Sequence, residues 1–267
     1  MVETPNVVNY LKDYKKPDYE IRSVSLLFDI LADKTIVYSR MSVHQLQKGP
    51  LVLYGRDLVL RGLFIDGKIV DVTDYKITSE TLTLTNVSDD FELYIITEIY
   101  PQLNTSLEGL YASHDSLFTQ CEAEGFRKIT YFIDRPDNLT KYAVRIEADK
   151  KKYPILLANG NKIGAGELPN GRHFVLYYDP HVKPSYLFAI VAGSFSYISD
   201  HYLTQDKNDV LLRIYSEAGL EDRCVQAMNA LKKAFLWDEK VYGCVYDLDV
   251  YHVVVANDFN AGAMENK

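Results

Sequence analysis

Apolar and polar side chains alternate along most of residues 19–193. In one run every second residue is apolar, namely Val24, Leu26, Phe28 and Ile30. In another run, Phe91, Leu93, Ile95 and Ile99 lie on one face and Glu92, Tyr94, Ile96 and Glu98 on the other. Since successive side chains of a strand point to opposite faces, this period predicts β-strands with one buried face. We expect a mainly β, antiparallel domain, shaped as a sandwich or a saddle, without a long helix.

Turn signals separate these strands. Asp66 and Gly67 lie between the apolar residues 63–65 and residues 68–70, which is the two-residue turn pattern of a β-hairpin. Asn159-Gly160 and Asn170-Gly171 have the same pattern. Tight turns of this kind favour antiparallel strands.

The pattern changes after Gly193. Residues 194–203 and 210–215 still alternate as strands, but a helical spacing of three and four follows at Leu220, Cys224, Ala227, Leu231 and Phe235. This spacing predicts one amphipathic helix ending near Trp237, and residues 248–256 then form an apolar strand. We therefore expect two parts, an N-terminal β-domain at residues 1–194 and, at 195–267, the incomplete α+β opening of a second domain. An apolar strand so near the chain end also suggests a truncated chain.

Composition limits the possible partners. The 267 residues are 47% hydrophobic, which suits a protein with a substantial core. The formal net charge is -8, and binding to nucleic acid depends on clustered Lys and Arg, so a nucleic-acid partner is not expected. Residues 150–152 and 232–233 are short basic runs that we expect on solvated faces.

Targeting signals and cysteine usage indicate the compartment. Residues 1–20 lack the apolar segment of a secretory signal, and no stretch approaches the 18 apolar residues that a membrane span needs. Cys121, Cys224 and Cys244 are odd in number and widely spaced, which indicates neither a disulfide framework nor a zinc knuckle. We expect a cytoplasmic protein without a membrane partner.

Several kinds of site are not indicated. The six histidines never have the helical spacing of a zinc-binding pair, so we expect no metal ligands and no catalytic residues in this chain. Ser194 lacks the glycines of a nucleophile elbow, and the glycine-rich residues 160–166 are followed by Pro169 rather than by a helix.

Two acidic segments are candidates for binding. Residues 119–127 place Glu122 and Glu124 between two strand-like pieces, although the composition alone favours a solvated loop with either glutamate paired to Arg127. At residues 261–267, the small side chain next to Gly262 leaves the backbone accessible, and Glu265 is available to a cation. The alternative there is an ordinary strand exit with a solvated glutamate.

The two segments resemble, in order and spacing, those of the aminopeptidase N family of zinc exopeptidases. The resemblance is carried by residues 119–127, 134–137, 159–161, 171–173 and 262–266, and it covers essentially the whole chain. The sequence is similar to the bacterial-type branch of the family. Residues 14–19 also resemble the N-terminus of that branch. The resemblance implies that the second part is the opening of a thermolysin-like peptidase domain.

The resemblance also implies roles for single residues. Glu122 and Glu265 would hold the free α-ammonium group of a peptide substrate, and Gln120 would line the pocket for its first side chain. Gly262 and Ala263 would lie against the substrate main chain near the scissile carbonyl, and Met264 and Asn266 would also belong to the substrate-binding segment. The preceding residue, often Met in bacterial enzymes, is Ala261 here, so we expect a roomier first pocket.

The catalytic apparatus is not expected in these residues. In the family the zinc ligands, the general base and the transition-state tyrosine follow the segment that ends near Lys267, so the remainder of the catalytic domain is an expected partner. We therefore expect this chain alone to be inactive, with zinc in the complete enzyme. Two alternatives are a non-catalytic protein that binds peptide N-termini or acts as a scaffold, and a purely structural β-sandwich.

Overall fold

The computed structural model describes residues 10–267. Residues 1–9 lie outside this range, and with them the first part of residues 1–20, for which no secretory signal was predicted. Its strands are β1 Tyr19–Ile30, β2 Thr35–Gln45, β3 Leu51–Tyr54, β4 Val59–Ile65, β5 Lys68–Ile69, β6 Tyr75–Ile77, β7 Thr81–Leu84, β8 Asp90–Ile99, β9 Gly109–Ser113, β10 Ser116–Gln120, β11 Thr140–Asp149, β12 Ile155–Ala158, β13 Asn161–Glu167, β14 Arg172–Lys183, β15 Ile190–Gly193, β16 Ser196–Leu203, β17 Asp209–Ser216 and β18 Val250–Val254. The α-helix is α1, Glu221–Tyr242, and short 3-10 turns span Leu11–Asp13, Val72–Asp74, Pro101–Leu103, Phe126–Lys128 and Ser185–Leu187.

The strands form four sheets. The largest has the order β13-β14-β11-β1-β2-β8-β4-β5, and two smaller sheets have the orders β12-β15-β10-β9 and β3-β7-β6. The predicted mainly β, antiparallel fold is confirmed, with one exception in this region, since β1 and β11 pair in parallel from Ser23 and Lys141 to Asp29 and Glu147. The predicted turn at Asp66 and Gly67 joins β4 to β5.

The core of this region lies between the large sheet and the small ones. The alternating residues Val24, Leu26, Phe28 and Ile30 are all buried. They share one hydrophobic cluster with buried residues of the small sheets, such as Leu53 of β3 and Ile190 of β15. Burial of apolar area contributes roughly 25 cal/mol per Å². This shared cluster is what holds the layers together.

The last part of the chain forms a separate layer pair. The fourth sheet has the order β16-β17-β18, and α1 packs on one face of it. The buried stripe of α1 is Cys224, Met228, Phe235 and Glu239, with Leu231 half-buried. Ala227 was expected on this stripe but is exposed, because Met228 lies four residues after Cys224 and occupies that position.

The bounds of α1 and of β18 differ from those expected from the sequence. The helix continues one turn beyond Trp237 to Tyr242, where Gly243 with a φ of 65° provides the left-handed residue that commonly ends a helix. Strand β18 is shorter than residues 248–256. None of the helices in residues 10–267 has the length and apolar character that a membrane crossing requires.

Candidate functional site

The upstream acidic loop begins where β10 ends. Gln120 is 3% exposed, and its Nε2 atom donates to the main-chain oxygen of Glu122 over 3.3 Å. Its Oε1 atom is buried and has no hydrogen-bond partner in the described part of the chain. Cys121 is fully buried, which raises the pKa of its thiol well above the usual value, whereas Glu122 is exposed. The loop thus combines an unpaired buried acceptor with an accessible carboxylate.

A buried ion pair fixes the base of this loop. The Nε atom of Arg127 donates to Asp134 Oδ2 over 3.0 Å, and the Arg127 main-chain N–H donates to the same oxygen over 3.1 Å. The other carboxylate oxygen of Asp134 accepts from Ser185 Oγ over 2.5 Å. Arg127 also pairs with Glu124 at 3.0 Å. The expected pairing of a loop glutamate with Arg127 is therefore observed for Glu124, and Glu122 stays exposed.

Gly125 allows the loop to turn back tightly. A Cβ atom at this position would lie 2.3 Å from the main-chain oxygen of Gln120 and 2.8 Å from the main-chain nitrogen of Gly109. Both contacts are far closer than side chains tolerate, and both involve backbone. Any larger residue here would displace the loop that carries Glu122.

The downstream segment follows β18. Ala261, Gly262, Ala263 and Glu265 are exposed, and Met264 and Asn266 are half-buried. A Cβ atom built on Gly262 would meet no heavy atom within 4 Å. No described part of the chain therefore covers the backbone at Gly262 on that side.

Polar contacts attach the end of this segment to the β-domain and to the residues just before β18. The Nδ2 atom of Asn159 donates to the main-chain oxygen of Asn266 over 2.7 Å. Lys267 pairs with Asp247 at 2.6 Å. These contacts hold the end of the segment, while Ala261, Gly262, Ala263 and Glu265 remain exposed.

The loop just before the segment rests on β9. Tyr111 Oη donates to the main-chain oxygen of Asp258 over 2.8 Å, and Ser113 Oγ donates to the Asp258 carboxylate over 2.7 Å. Burial and the nearby Asp258 charge raise the pKa of Tyr111 to about 12. Strand β9 also pairs with β10, with Gly109 opposite Gln120. One sheet therefore carries the Glu122 loop and supports the approach to Glu265.

Neither glutamate has a counter-charge. Among residues 10–267, Glu122 and Glu265 form no ion pair within 4.0 Å. Two exposed carboxylates on segments supported by the same sheet favour binding of a cation with hydrogen-bond donors. An ammonium group has this chemistry.

The supporting residues were not identified from sequence as part of the site. Asn159 was recognised as a turn residue and Asp134 as part of a spaced pattern. However, Asp134 bonds to Ser185, more than fifty positions away, and Asn159 bonds to Asn266, more than a hundred positions away. Tyr111, Ser113 and Asp258 carry no local signal. Long-range polar contacts of this kind leave no periodicity in the sequence.

The described residues do not fit a metal site. Within residues 10–267, no group of three or more His, Cys, Asp or Glu side chains is placed to hold a metal ion. His173 is buried and its Nε2 atom lies 2.7 Å from the main-chain oxygen of Tyr153, and His181 pairs with Asp247 at 3.1 Å. No catalytic step through a metal is assigned to these residues.

Comparison with known proteins defines the class. Residues 59–187 match the peptidase M1 N-terminal domain. Over its whole length the chain is similar to aminopeptidase N of Escherichia coli, with 47% identity over 269 residues, covering 100% of this chain and 31% of that protein. Aminopeptidase N of Caulobacter vibrioides is 45% identical over 99% of this chain and 31% of its own length. The chain thus spans about a third of these relatives.

Solved structures give the same result. The structure of Legionella pneumophila aminopeptidase A in complex with aspartic acid matches with a TM-score of 0.93 and 31% identity, over 97% of this chain and 31% of that one. An M1 zinc metallopeptidase from Deinococcus radiodurans, 15% identical with a TM-score of 0.74, shares the fold. The chain belongs to the peptidase M1 family. More narrowly, it corresponds to the N-terminal portion of aminopeptidase N-type enzymes.

Proposed function

We propose that this chain provides the part of an aminopeptidase that holds the free N-terminus of a peptide. Glu122 and Glu265 bind the α-ammonium group, and the open backbone at Gly262 and Ala263 lies along the substrate main chain. The observation that carries the proposal is the pair of exposed carboxylates without counter-charges, supported through β9 and β10 of one sheet. The named relatives are aminopeptidases, which supports the same reading.

Elementary chemistry explains why two carboxylates would select a free N-terminus. An α-amine has a pKa of about 8, so it is largely cationic at neutral pH. Hydrogen bonds to charged partners contribute roughly 1.5–3 kcal/mol each. If the two contacts are additive, they favour a free over a blocked N-terminus by about two to four powers of ten. Such selection makes an exopeptidase.

Gln120 and Ala261 bear on the first side chain of the substrate. The Oε1 atom of Gln120 is an acceptor without a partner among residues 10–267, and a substrate group can satisfy it. Ala261 is exposed and small, which leaves the room that a longer residue would fill. Met264 and Asn266, both half-buried, shape the wall beyond Gly262.

The catalytic step belongs to the remainder of the complete enzyme. A zinc ion there would polarise the scissile carbonyl and activate a water molecule. Its ligands are not provided by the described residues, so this chain alone is expected not to hydrolyse peptides. The domain boundary after residue 194 agrees with two separate hydrophobic clusters, one made of residues 19–192 and one of residues 198–253. A cytoplasmic location fits the cysteine usage.

Two substitutions in the full-length protein test the amine-binding role. Glu122→Gln and Glu265→Gln should each lower kcat/KM for free-amine substrates by about tenfold to a hundredfold. Each should also reduce the preference for a free over an N-acetylated peptide, measured by competition binding. Glu124→Gln is the matched control, because Glu124 lies in the same loop but pairs with Arg127. An unchanged preference in both variants would refute the proposal.

A further inference from the structure

A cleft of about 650 Å³ lies between the β-domain and the three-stranded sheet β16-β17-β18. It is separate from the candidate amine site, since none of the residues assigned to that site lines it. One wall includes Leu156, Val175 and Tyr177 of the β-domain. The opposite wall is the face of the three-stranded sheet that does not contact α1. A pocket of this volume accommodates a small organic molecule.

Alternation along β17 places a charge on that second wall. Val210, Leu212 and Ile214 are buried in the cluster under α1. Arg213 therefore points to the opposite face, where it lines the cleft together with its register partner His252 on β18. The strand pairing brings a cation and an imidazole side by side.

Arg213 has no carboxylate partner. Within the part of the chain that the structure describes, its guanidinium forms no ion pair within 4.0 Å, and its buried Nε atom has no hydrogen-bond partner. The guanidinium lies over the ring of Tyr197, 4.9 Å from the centroid, and a hydrogen bond with the Tyr215 side chain raises its pKa. A buried donor without a partner is costly, and such groups normally bind a protein group, water or ligand.

The remaining charges at the cleft do not neutralise Arg213. Lys162 on β13 also lines the cleft and forms no ion pair among residues 10–267. Lys150 and Glu167 neutralise each other across 2.6 Å. Asp249 is the other carboxylate of the lining, and it pairs with neither Arg213 nor Lys162 within 4.0 Å. The lining thus carries three cations and two carboxylates, a surplus of one positive charge, and neither Arg213 nor Lys162 forms an ion pair.

The pKa of His252 is also affected by the positive charges at the cleft. Burial, the charge of Arg213 and then that of Lys162 lower the pKa of His252 to about 4. His252 is therefore neutral at pH 7, and it can accept or donate one hydrogen bond to a ligand.

We propose that this cleft binds a small organic oxyanion, a carboxylate or phosphate group carried on a flat apolar body. Arg213 and Lys162 hold the oxyanion, and the apolar body lies between the aromatic wall of Tyr197 and Tyr215 and the apolar wall of the β-domain. An inorganic ion alone would leave most of the 650 Å³ unfilled. The site is distinct from the amine-binding function proposed above.

Titration of the full-length protein with three probes tests the proposal. Phenyl phosphate, benzoate and inorganic phosphate are added separately, and binding is followed by calorimetry and by the NMR signal of the His252 ring. We expect saturable 1:1 binding of at least one of the two aromatic probes, tighter than that of inorganic phosphate, with a shift of the His252 signal. The aromatic probe that binds more tightly identifies the preferred oxyanion.

Variants locate the binding. Arg213→Gln should weaken the better aromatic probe by at least about tenfold, because a charged hydrogen-bond donor is lost. Lys162→Gln changes an exposed position, so it should weaken binding of this probe severalfold without affecting folding. If Arg213→Gln lowers the Tm, the affinity of Lys162→Gln is the test of the proposal. Arg223→Gln, on the exposed surface of α1, is the matched control and should bind as wild type. Equal affinity in wild type and Lys162→Gln, or no binding of any probe up to about 10 mM, would overturn the proposal.

Discussion

The Nδ2 atom of Asn159 donates a hydrogen bond of 2.7 Å to the main-chain oxygen of Asn266, which ties the β-domain to the end of the exposed segment 261–267. The same Nδ2 atom donates to the Leu187 oxygen over 3.0 Å, and Oδ1 accepts from the Ala189 N–H over 2.7 Å. One amide side chain therefore forms three hydrogen bonds to two separate stretches of backbone, residues 187–189 and Asn266. Its geometry positions the segment that carries Glu265.

Substitution of Asn159 by Ala should loosen this junction. Three hydrogen bonds are lost and backbone groups at Leu187 and Ala189 remain without a partner, so the free energy of unfolding should fall by about 2–4 kcal/mol. Amide hydrogen exchange should accelerate in residues 261–267 more than in β10. Urea titration and exchange measured by mass spectrometry check both effects.

Asn86 provides the control for this experiment, because it is an exposed asparagine in the same β-domain. Asn86→Ala should change the free energy of unfolding by less than about 0.5 kcal/mol. If exchange in residues 261–267 is the same in Asn159→Ala and Asn86→Ala, the hydrogen bond to Asn266 does not position the segment.

The two carboxylates that pair with Arg127 should differ greatly in their effect on stability. The Asp134 side chain is 1% exposed and that of Glu124 is 61% exposed. Asp134→Asn breaks a buried pair and leaves the arginine charge uncompensated on that side, so we expect a loss of about 3 kcal/mol or more. Glu124→Gln removes a surface contact and should cost less than about 1 kcal/mol. Chemical unfolding of both variants measures the difference, and equal losses would contradict it.

The fold was largely readable from the sequence because alternation reports burial directly. Every second residue from Val24 to Ile30 is buried, as the pattern required. The same rule failed to anticipate Glu98, which lies among the outer residues of β8 but is only 2% exposed. Arg61 and Lys34 pair with it at 2.9 and 3.2 Å. An ion pair between residues that are distant in sequence can bury a charge that the local pattern assigns to solvent.

The site was predictable only as two separate segments. Their composition marked Glu122 and Glu265 as candidates, and the family resemblance gave them a shared role. The contacts that support both, from Tyr111 to Asp258 and from Asn159 to Asn266, depend on tertiary structure. The parallel pairing of β1 and β11 is likewise a long-range choice, with partners more than a hundred residues apart. Turn signals specify only neighbours in sequence.

Ala261 should set the size preference for the first substrate residue. It is exposed and lies directly before Gly262, so Ala261→Met adds an adaptable apolar side chain at the wall of the pocket. In the full-length protein the variant should lower kcat/KM for substrates with a large first side chain relative to those with a small one. A series of aminoacyl-anilides, from Ala to Phe, measures this ratio. No change in the ratio would show that Ala261 does not form part of the pocket.

His252 should make the protein less stable at mildly acidic pH. Its pKa is about 4 in the folded chain and 6.5 ordinarily, chiefly because of burial and then because of Arg213. Between these values the unfolded chain binds the additional proton, so the stabilising effect of a neutral His252 is complete above about pH 6.5 and is lost as the pH falls toward 4. The loss should reach about 3 kcal/mol.

Comparison with His252→Gln isolates this effect. The free energy of unfolding of the variant should fall less steeply between pH 7 and pH 4 than that of wild type. His201→Gln is the control, since His201 is exposed and pairs with Asp209 at 3.0 Å, a surface contact whose loss should change stability only slightly. Parallel pH profiles for wild type and His252→Gln would mean that His252 titrates at its ordinary pKa, and that the charges of Arg213 and Lys162 are already compensated in the folded protein.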